Sequence, residues 1–245
     1  RLPDADPAIY AGGIYRIGKR NKRYGTNRRK IVEGFEEGNL KTNNPQEKRS
    51  ITLTTELILF LKDLLDAFDP YGVEHGVRVA ELAVKLAKWE GVALDSQELK
   101  DIFTAGLLHD VGKIMIPGDI LRIPGKYLQS EYDIMSLHAI NGYKMLMRIV
   151  NGTTINMNVA LIMKFHHKNF DGSGYPNDDV QGNRIPLGAR VLRIVDSYDA
   201  ITQERGYRPT LNNDNALLDM IDWQIKYVCY DPDLLQLFLK MMKDG

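Results

Sequence analysis

The sequence holds little that would cross-link the chain or anchor it in a membrane. Cys229 is the one cysteine among 245 residues, which excludes an internal disulfide and fits a reducing cytosol. No uninterrupted apolar run approaches the roughly 18 residues of a membrane helix; the best short run is LILFL, residues 57–61. A signal-peptide pattern is also missing. We therefore expect a cytoplasmic chain without a membrane span. Because it starts at Arg1 rather than Met, we also expect an upstream sensory or membrane region.

Alternating strand patterns are almost absent, whereas helical periodicity is frequent. Hydrophobic residues make up 44% of the chain, which is enough for a core. From Ser50 onward apolar residues recur at helical spacing, for example at Leu57, Leu64 and Phe68, so we predict an all-α domain over residues 51–245. The first predicted helix ends at Asp69-Pro70, and the others cover residues 73–90, about 95–108, 130–148, 155–167, 187–204, 213–227 and 232–243.

Two of the predicted helices begin with recognisable capping residues. Asp95, with Glu98 three residues later, has the pattern of a capping box. Asp231 precedes Pro232, which would occupy the first helical position, where a missing N–H costs nothing. We therefore expect Asp95 and Asp231 to cap their helices.

Charge is balanced overall but not along the chain. Lys and Arg together number 32, as do Asp and Glu, yet residues 1–50 carry 12 basic and 6 acidic side chains. The run RIGKRNKRYGTNRRK, Arg16–Lys30, has no acidic residue. We interpret residues 1–50 as a largely non-helical basic N-terminal arm or linker. Contact of this run with nucleic acid or an anionic membrane is the less favoured alternative, because Tyr24 is its one aromatic residue and no nucleic-acid module accompanies it.

The five histidines all lie between residues 75 and 167, and four of them stand beside a carboxylate or another histidine. His109 and Asp110 follow an apolar helical run in LLHDVGK, where a metal ion beside an imidazole would supply the counter-charge that a buried carboxylate needs. His166 and His167 precede a DGSG turn. Adjacent helical residues point about 100° apart, so both face one point only near a helix end. Alone, His75 would be interpreted as a surface or core histidine, and His138 is uninformative.

Two carboxylates on one predicted helix extend this set. Asp196 and Asp199, in RIVDSYDA, share a helix face among apolar neighbours, where like charges repel unless one is neutralised or coordinated. Five histidines with Asp110 and Asp196 give seven candidate ligands, which suits two metal ions with open positions better than one closed tetrahedral site. Without thiolates, imidazole and carboxylate ligands favour Fe, Mn, Ni or Zn.

Seven segments of the chain occur in a recognisable order. They are HGVRVAELAVKLA (75–87), LLHDVGKIMIP (107–117), LHAINGYKML (137–146), HHKNFDGSGYP (166–176), IPLGARVLRIVDSYDAIT (185–202), RGYRP (205–209) and YDPDLL (230–235). Together they resemble the HD-GYP domains, the bacterial branch of the HD phosphohydrolases that degrades cyclic di-GMP. The resemblance extends from His75 to Leu237 and implies an HD-domain helical bundle.

The resemblance implies a centre of two divalent metal ions, Fe or Mn, with Ni or Zn as alternatives. One ion is expected on His75, His109, Asp110 and Asp196, and the second on His138, His166 and His167, with Asp110 bridging the two. In the implied mechanism a metal-bridging hydroxide attacks the phosphodiester while Lys113 reaches the scissile phosphate. Asp110 and Lys113 are therefore the expected catalytic residues.

The resemblance also implies a set of substrate contacts. These are Lys113, Gly174, Tyr175, Pro176, Asp199, Arg205 and Arg208. Plainer interpretations stay open for several of them: Lys113 could be a surface lysine at a helix end, the two arginines ordinary surface charges, and Tyr175-Pro176 only a rigid turn.

Three positions depart from the pattern of the resemblance. Tyr71 stands where some members have a glutamate that helps to bind a third metal, so we expect two metals. Lys168 stands where a glutamate usually follows the histidine pair, and its charge could repel a metal or assist an anionic substrate. Gly76 replaces a common serine, and we expect little effect.

The expected function is therefore metal-dependent hydrolysis of cyclic di-GMP to pGpG and onward to GMP. One alternative is a module that binds a cyclic dinucleotide or a protein partner without turnover, which Lys168 would allow. Another is an HD hydrolase of a different nucleotide, such as 3′,3′-cGAMP or a monomeric cyclic nucleotide. The expected partners are cyclic di-GMP, the upstream sensory region and a second copy of the chain through the 51–68 helix; nucleic acid is not favoured.

Overall fold

The chain folds as a bundle of helices without a β-sheet in the part that the structure describes. This computed structural model describes residues 45–69, 72–93, 96–123, 125–149, 153, 155–203 and 211–244. Its helices are α1 (Pro45–Phe68), α2 (Gly72–Glu90), α3 (Gln97–Leu108), α4 (Gly118–Leu121), α5 (Gln129–Ile149), α6 (Met157–Phe165), α7 (Leu187–Thr202), α8 (Asn213–Tyr227) and α9 (Pro232–Asp244). Within these ranges extended pairing is limited to one antiparallel bridge, between Lys168 and Gly174. The all-α prediction is confirmed.

Helix α7 forms the centre of the bundle. It packs against α2, α3, α6, α8 and α9, and every residue from Val191 to Ile201 is buried. Charged residues lie within this buried stretch, among them Arg193, Asp196 and Asp199. Because a buried charge is costly unless it is paired, the neighbouring helices must supply partners for these side chains.

The predicted helices occur close to their expected positions, but one predicted cap is wrong. Helix α3 is capped by Ser96, whose hydroxyl accepts a hydrogen bond from the Leu99 amide at 3.2 Å, and not by Asp95, which lies outside the described residues. A serine with extended backbone is as good a cap as an aspartate, so adjacent candidates compete. The predicted cap at Asp231 is confirmed, because its Oδ1 accepts bonds from the Asp233 and Leu234 amides at 3.0 and 3.3 Å.

Helix α1 begins earlier than the sequence pattern indicates. Its first residue is Pro45, so the predicted boundary between arm and domain at residues 50 and 51 lies inside a helix. Residues 1–44, which include the basic run, lie outside the described residues. Phe60 and Phe68 on α1 are 62% and 47% exposed, and a homodimer through this helix stays a prediction. No helix in the described ranges has the length and hydropathy of a membrane span.

A short 3₁₀ helix, Val111–Met115, follows α3 and packs closely on α5. The contact is made at Gly112, where an added Cβ would lie 2.0 Å from the carbonyl oxygen of His138 and 2.5 Å from the amide nitrogen of Gly142. Only a residue without a side chain permits this approach. The glycine therefore brings Asp110, two residues before it, and Lys113, the next residue, close to His138.

We expect Gly112→Ala to destabilise the protein by about 3 kcal/mol, at the upper end of the usual cost of forcing an extra methyl into a packed core. Gly91→Ala is the matched control. Its added Cβ would meet no atom within 4 Å, and only its φ of +102° opposes the change, which should cost about 1–2 kcal/mol. Urea unfolding followed by circular dichroism measures both variants. Equal losses would contradict the close approach at Gly112.

Candidate metal centre

The structure brings all five histidines together, although they come from different helices. His75 lies on α2 and His138 on α5, whereas His109 and His166 are the residues at which α3 and α6 end. His167 follows directly. All five side chains are buried. The helix ends explain how the neighbouring side chains can point into one site, because the backbone changes direction there.

The first group of ligand candidates consists of His75, His109, Asp110 and Asp196. Nε2 of His75 lies 3.2 Å from Nε2 of His109 and 3.2 Å from Oδ1 of Asp196. Nε2 of His109 lies 3.4 Å from Oδ2 of Asp110. The donor atoms of His75, His109 and Asp110 all lie within 4.8 Å of one another, which is close enough to hold one ion.

The second group consists of His138, His166 and His167, whose donor atoms also lie within 4.8 Å of one another. Nε2 of His138 is 3.3 Å from Nε2 of His166. Asp110 connects the two groups: its Oδ2 faces His109, and its Oδ1 lies 3.4 Å from Nε2 of His138. The seven candidate ligands thus form two adjacent groups, and Asp110 contacts both of them.

Backbone carbonyls fix the orientation of three of the rings. His109, His138 and His166 each donate from Nδ1 to the carbonyl three residues earlier, at 2.8, 2.8 and 2.6 Å. A carbonyl oxygen only accepts, so the proton of each neutral ring is on Nδ1 and the lone pair is on Nε2. Hydrogen bonds of this kind typically orient metal-binding histidines.

The second group fits a metal ion on electrostatic grounds. Burial lowers the pKa of His138 to about 3 and that of His166 well below its usual range, so neither ring takes a second proton near neutral pH. Their Nε2 lone pairs then face each other at 3.3 Å and repel unless a cation lies between them. Neutral imidazoles are suitable ligands for Fe, Ni or Zn ions, and nearby carboxylates also suit Mn.

The carboxylates supply negative charge to the same centre. Burial opposes their ionisation, but Lys113 and His109 hold the pKa of Asp110 well below its usual range. The hydrogen bond from His75 has the same effect on the pKa of Asp196. Two ionised carboxylates among imidazoles form a donor set that suits divalent cations.

Asp199, which was expected to contact substrate, is bonded to His75 and Arg78. Its Oδ2 is 2.7 Å from Nδ1 of His75, and Arg78 donates to both of its oxygens, at 2.6 and 2.8 Å. Burial opposes ionisation, yet Arg78 and His75 lower the pKa of Asp199 to about 2. Arg78 was not among the residues singled out in the sequence, although it follows His75 by one helical turn.

Lys113 is buried, which excludes the interpretation of a surface lysine. Its Nζ donates to Oδ2 of Asp110 at 2.7 Å and lies 3.5 Å from Oδ2 of Asp69. Asp69 was noted in the sequence only because it precedes a helix-stopping proline. The ammonium group therefore lies directly beside the carboxylate that the two ligand groups share.

The Gly174-Tyr175-Pro176 segment lies against the second ligand group. The Tyr175 ring is buried, with its centroid 4.7 Å from that of His167 and 5.9 Å from that of His138. Gly174 has φ +77°, and an added Cβ would lie 2.3 Å from the carbonyl oxygen of His167. A glycine is thus required for the loop to return to the histidine pair.

Lys168 contacts the same loop. Its Nζ donates to the carbonyl oxygens of Pro176 and Asp178, at 2.9 and 2.7 Å, so its charge is engaged by the loop. Two other residues singled out in the sequence, Arg205 and Arg208, lie outside the described residues, as does Tyr71.

Comparison with known proteins identifies a family and several relatives of this chain. A family model described as HD domain matches residues 60–234. A cyclic di-GMP phosphodiesterase of Pseudomonas aeruginosa is 34% identical over 176 residues, which cover 72% of this chain and 40% of that protein. A 3′3′-cGAMP-specific phosphodiesterase of Vibrio cholerae is 32% identical over 167 residues, which cover 68% of this chain and 37% of that protein.

The similarity extends to solved structures. An HDG"Y"P protein from Bdellovibrio bacteriovorus matches with a TM-score of 0.57 and 16% sequence identity, over 89% of this chain and 71% of that chain. At this identity the match supports the fold alone. The matched region spans less than half the length of the Pseudomonas aeruginosa enzyme and of the Vibrio cholerae enzyme.

We expect His75 to make the stability of the metal-free protein depend on pH. Burial disfavours the charged ring, but hydrogen bonds to Asp196 and Asp199 raise the pKa of His75 from 6.5 to about 9. When the pKa of a group is higher in the folded state than in the unfolded state, protonation of that group stabilises the folded state. The full stabilisation is present below the unfolded-state pKa, and it is lost as the pH rises through the folded-state pKa.

We therefore expect chelator-treated protein to lose stability between pH 6.5 and about 9, and His75→Gln to lose less over the same interval. Thermal unfolding across this range measures both proteins. Parallel profiles for wild type and variant would contradict the assignment to His75.

Proposed function

Because the chain belongs to the HD domain family, we propose that it is a metal-dependent phosphodiesterase that hydrolyses cyclic di-GMP. Relatives named for hydrolysis of cyclic di-GMP and of 3′3′-cGAMP support a cyclic dinucleotide as the substrate class. The proposal concerns this chain, which spans only part of those enzymes.

The position of Asp110 is the observation that carries the proposal. One of its oxygens faces His109 and the other faces His138, each at 3.4 Å from Nε2. A carboxylate between two imidazole groups is suited to bridging two cations. We propose Fe or Mn in both positions, with Ni or Zn as alternatives. When bound, divalent ions lower the pKa of a coordinated water and stabilise charge on phosphoryl oxygens.

Lys113 is proposed to act on the phosphate. Its ammonium group lies 2.7 Å from Asp110 and is buried, so its charge is little screened by solvent. Hydrolysis adds one water across a phosphodiester: the P–O3′ bond breaks, the phosphorus gains an oxygen and the 3′ oxygen leaves with a proton. A buried ammonium group stabilises the negative charge that builds on the phosphoryl oxygens during this step. One cleavage yields pGpG, and a second yields GMP.

Tyr175 is proposed as the surface on which a guanine base lies. Its ring borders the second ligand group, and Gly174 lets the loop approach the carbonyl of His167. Arg205 and Arg208 are proposed to contact phosphates or bases. For Asp199 we propose a different role from the one expected: since both of its oxygens are engaged by Arg78 and His75, it orients His75.

A binding module without turnover is the alternative from another functional class. The main support for it was a cation at Lys168 beside the metal ligands. That support weakens, because the Lys168 ammonium is engaged by the carbonyls of Pro176 and Asp178.

A substrate panel tests the proposal. Protein purified without oxygen and loaded with Fe, Mn or Ni would be incubated with cyclic di-GMP, 3′,3′-cGAMP or a monomeric cyclic nucleotide, and the products separated by chromatography. We expect cyclic di-GMP to be linearised fastest. Preferential loss of 3′,3′-cGAMP would reject the proposed substrate but keep the hydrolase, whereas binding of cyclic di-GMP without turnover by any metal form would favour the binding module.

Replacement of Lys113 tests its role separately from the metal ligands. We expect Lys113→Met to lower kcat by about 10²–10³-fold, the usual cost of removing one group that stabilises developing charge, while metal content per chain is unchanged. Lys144→Met is the control, since this lysine on α5 is exposed. Unchanged turnover, or a loss explained entirely by lost metal, would contradict the role proposed for Lys113.

A further inference from the structure

Lys168 is an unusual residue in this site because its charged side chain is completely buried. The side chain is 0% exposed, directly after the two adjacent histidines. Lysine is almost never buried to this extent unless its ammonium group is paired. The partners of Lys168 therefore indicate why the bundle accepts a charge there.

Three acceptors surround the Lys168 ammonium group. It donates to the carbonyl oxygens of Pro176 and Asp178, at 2.9 and 2.7 Å, and lies 3.3 Å from Oδ1 of Asp178. An ammonium group has three protons to donate, so these partners match its full capacity. A glutamate, which the family resemblance leads one to expect at this position, has only acceptor oxygens when ionised and could not bind the two carbonyls.

The contacts of Lys168 hold the chain just after Tyr175. Before this tyrosine the chain is held by other bonds: the bridge between Lys168 and Gly174, and the Tyr175 amide donating to the carbonyl of His167 at 3.3 Å. After it, Lys168 binds the carbonyl of the very next residue, Pro176. The loop is thus fixed on both sides of Tyr175, and the ring is held on His167.

We propose that Lys168 is a positioning residue, which binds the Pro176 and Asp178 carbonyls and so holds the Tyr175 ring over the second ligand group. The effect of Lys168 on the enzyme kinetics rests on the proposed hydrolase function, in which Tyr175 contacts the substrate base. The Michaelis constant then depends on Lys168, whereas the chemical step, which involves Asp110 and Lys113, does not.

Lys164 offers a matched control. Its Nζ contacts the other oxygen of the Asp178 carboxylate, Oδ2, at 3.2 Å, but its side chain is 23% exposed. Among the described residues, this Nζ bonds to no loop carbonyl. Lys164→Met removes one positive charge beside Asp178 and leaves the carbonyls of Pro176 and Asp178 bonded. Lys168→Met removes one positive charge and also breaks both of those bonds.

The first measurement is hydrogen exchange of residues 172–182, followed by mass spectrometry on metal-loaded protein. We expect exchange in this segment to be at least about tenfold faster in Lys168→Met, because the loss of even one hydrogen bond to a charged group represents about that factor. Exchange should be unchanged in Lys164→Met. Lys168→Arg keeps donors for the carbonyls and should restore most of the protection. If Lys168→Met does not fold, Lys168→Gln, which keeps one amide donor group, replaces it and should show an intermediate rate.

The second measurement is steady-state kinetics with cyclic di-GMP. We expect Lys168→Met to raise KM by about tenfold, for the same reason, with kcat and metal content close to those of wild type. Equal effects in Lys164→Met and Lys168→Met, unchanged loop exchange, or a fall in kcat at constant KM would overturn the proposal. If wild type turns over no nucleotide, the hydrolase proposal fails, but the exchange measurement still decides the role of Lys168.

Discussion

Compensation of buried charge governs how this bundle is arranged. Asp110, Asp196 and Asp199 are all buried, and each carboxylate faces an imidazole or a guanidinium group from another part of the chain. An unpaired charge in such a place would cost several kcal/mol. Helices α2, α3 and α7 must therefore pack in one relative position for all three carboxylates to be paired. The same packing points the histidine nitrogens at one another, so stability and site geometry have a common origin.

Helix ends make the centre compact. His109 and Asp110 stand where α3 ends, and His166 and His167 stand where α6 ends, so that neighbouring side chains reach one region from a short length of chain. Along a regular helix these neighbours would diverge. The candidate ligands therefore come from only four short segments around α7. The loop that follows His167 lies against the second ligand group.

Much of the fold and of the ligand set can be predicted from the sequence, because few residues qualify. The chain has five histidines, and their order along periodic helices limits how they can be combined. The structure brings all five together with Asp110 and Asp196. Side-chain direction is harder to predict. Asp199 could face a substrate or His75, and Lys168 could face a metal ion or a loop. Which of these occurs depends on contacts between distant segments. One such contact is the 3.0 Å bond from the Phe170 amide to the Cys229 carbonyl, which anchors the loop.

The two ligand groups draw on five helices, from His75 on α2 to Asp196 on α7, so ions held there would tie most of the bundle together. Any ligand that binds only the folded chain adds its binding free energy to stability. Metal supply would then govern the amount of this protein as well as its activity: in a starved cell a larger fraction would be unfolded at any moment and open to proteases. Loss of the protein when metal is scarce would follow directly from the positions of its metal-ligating side chains.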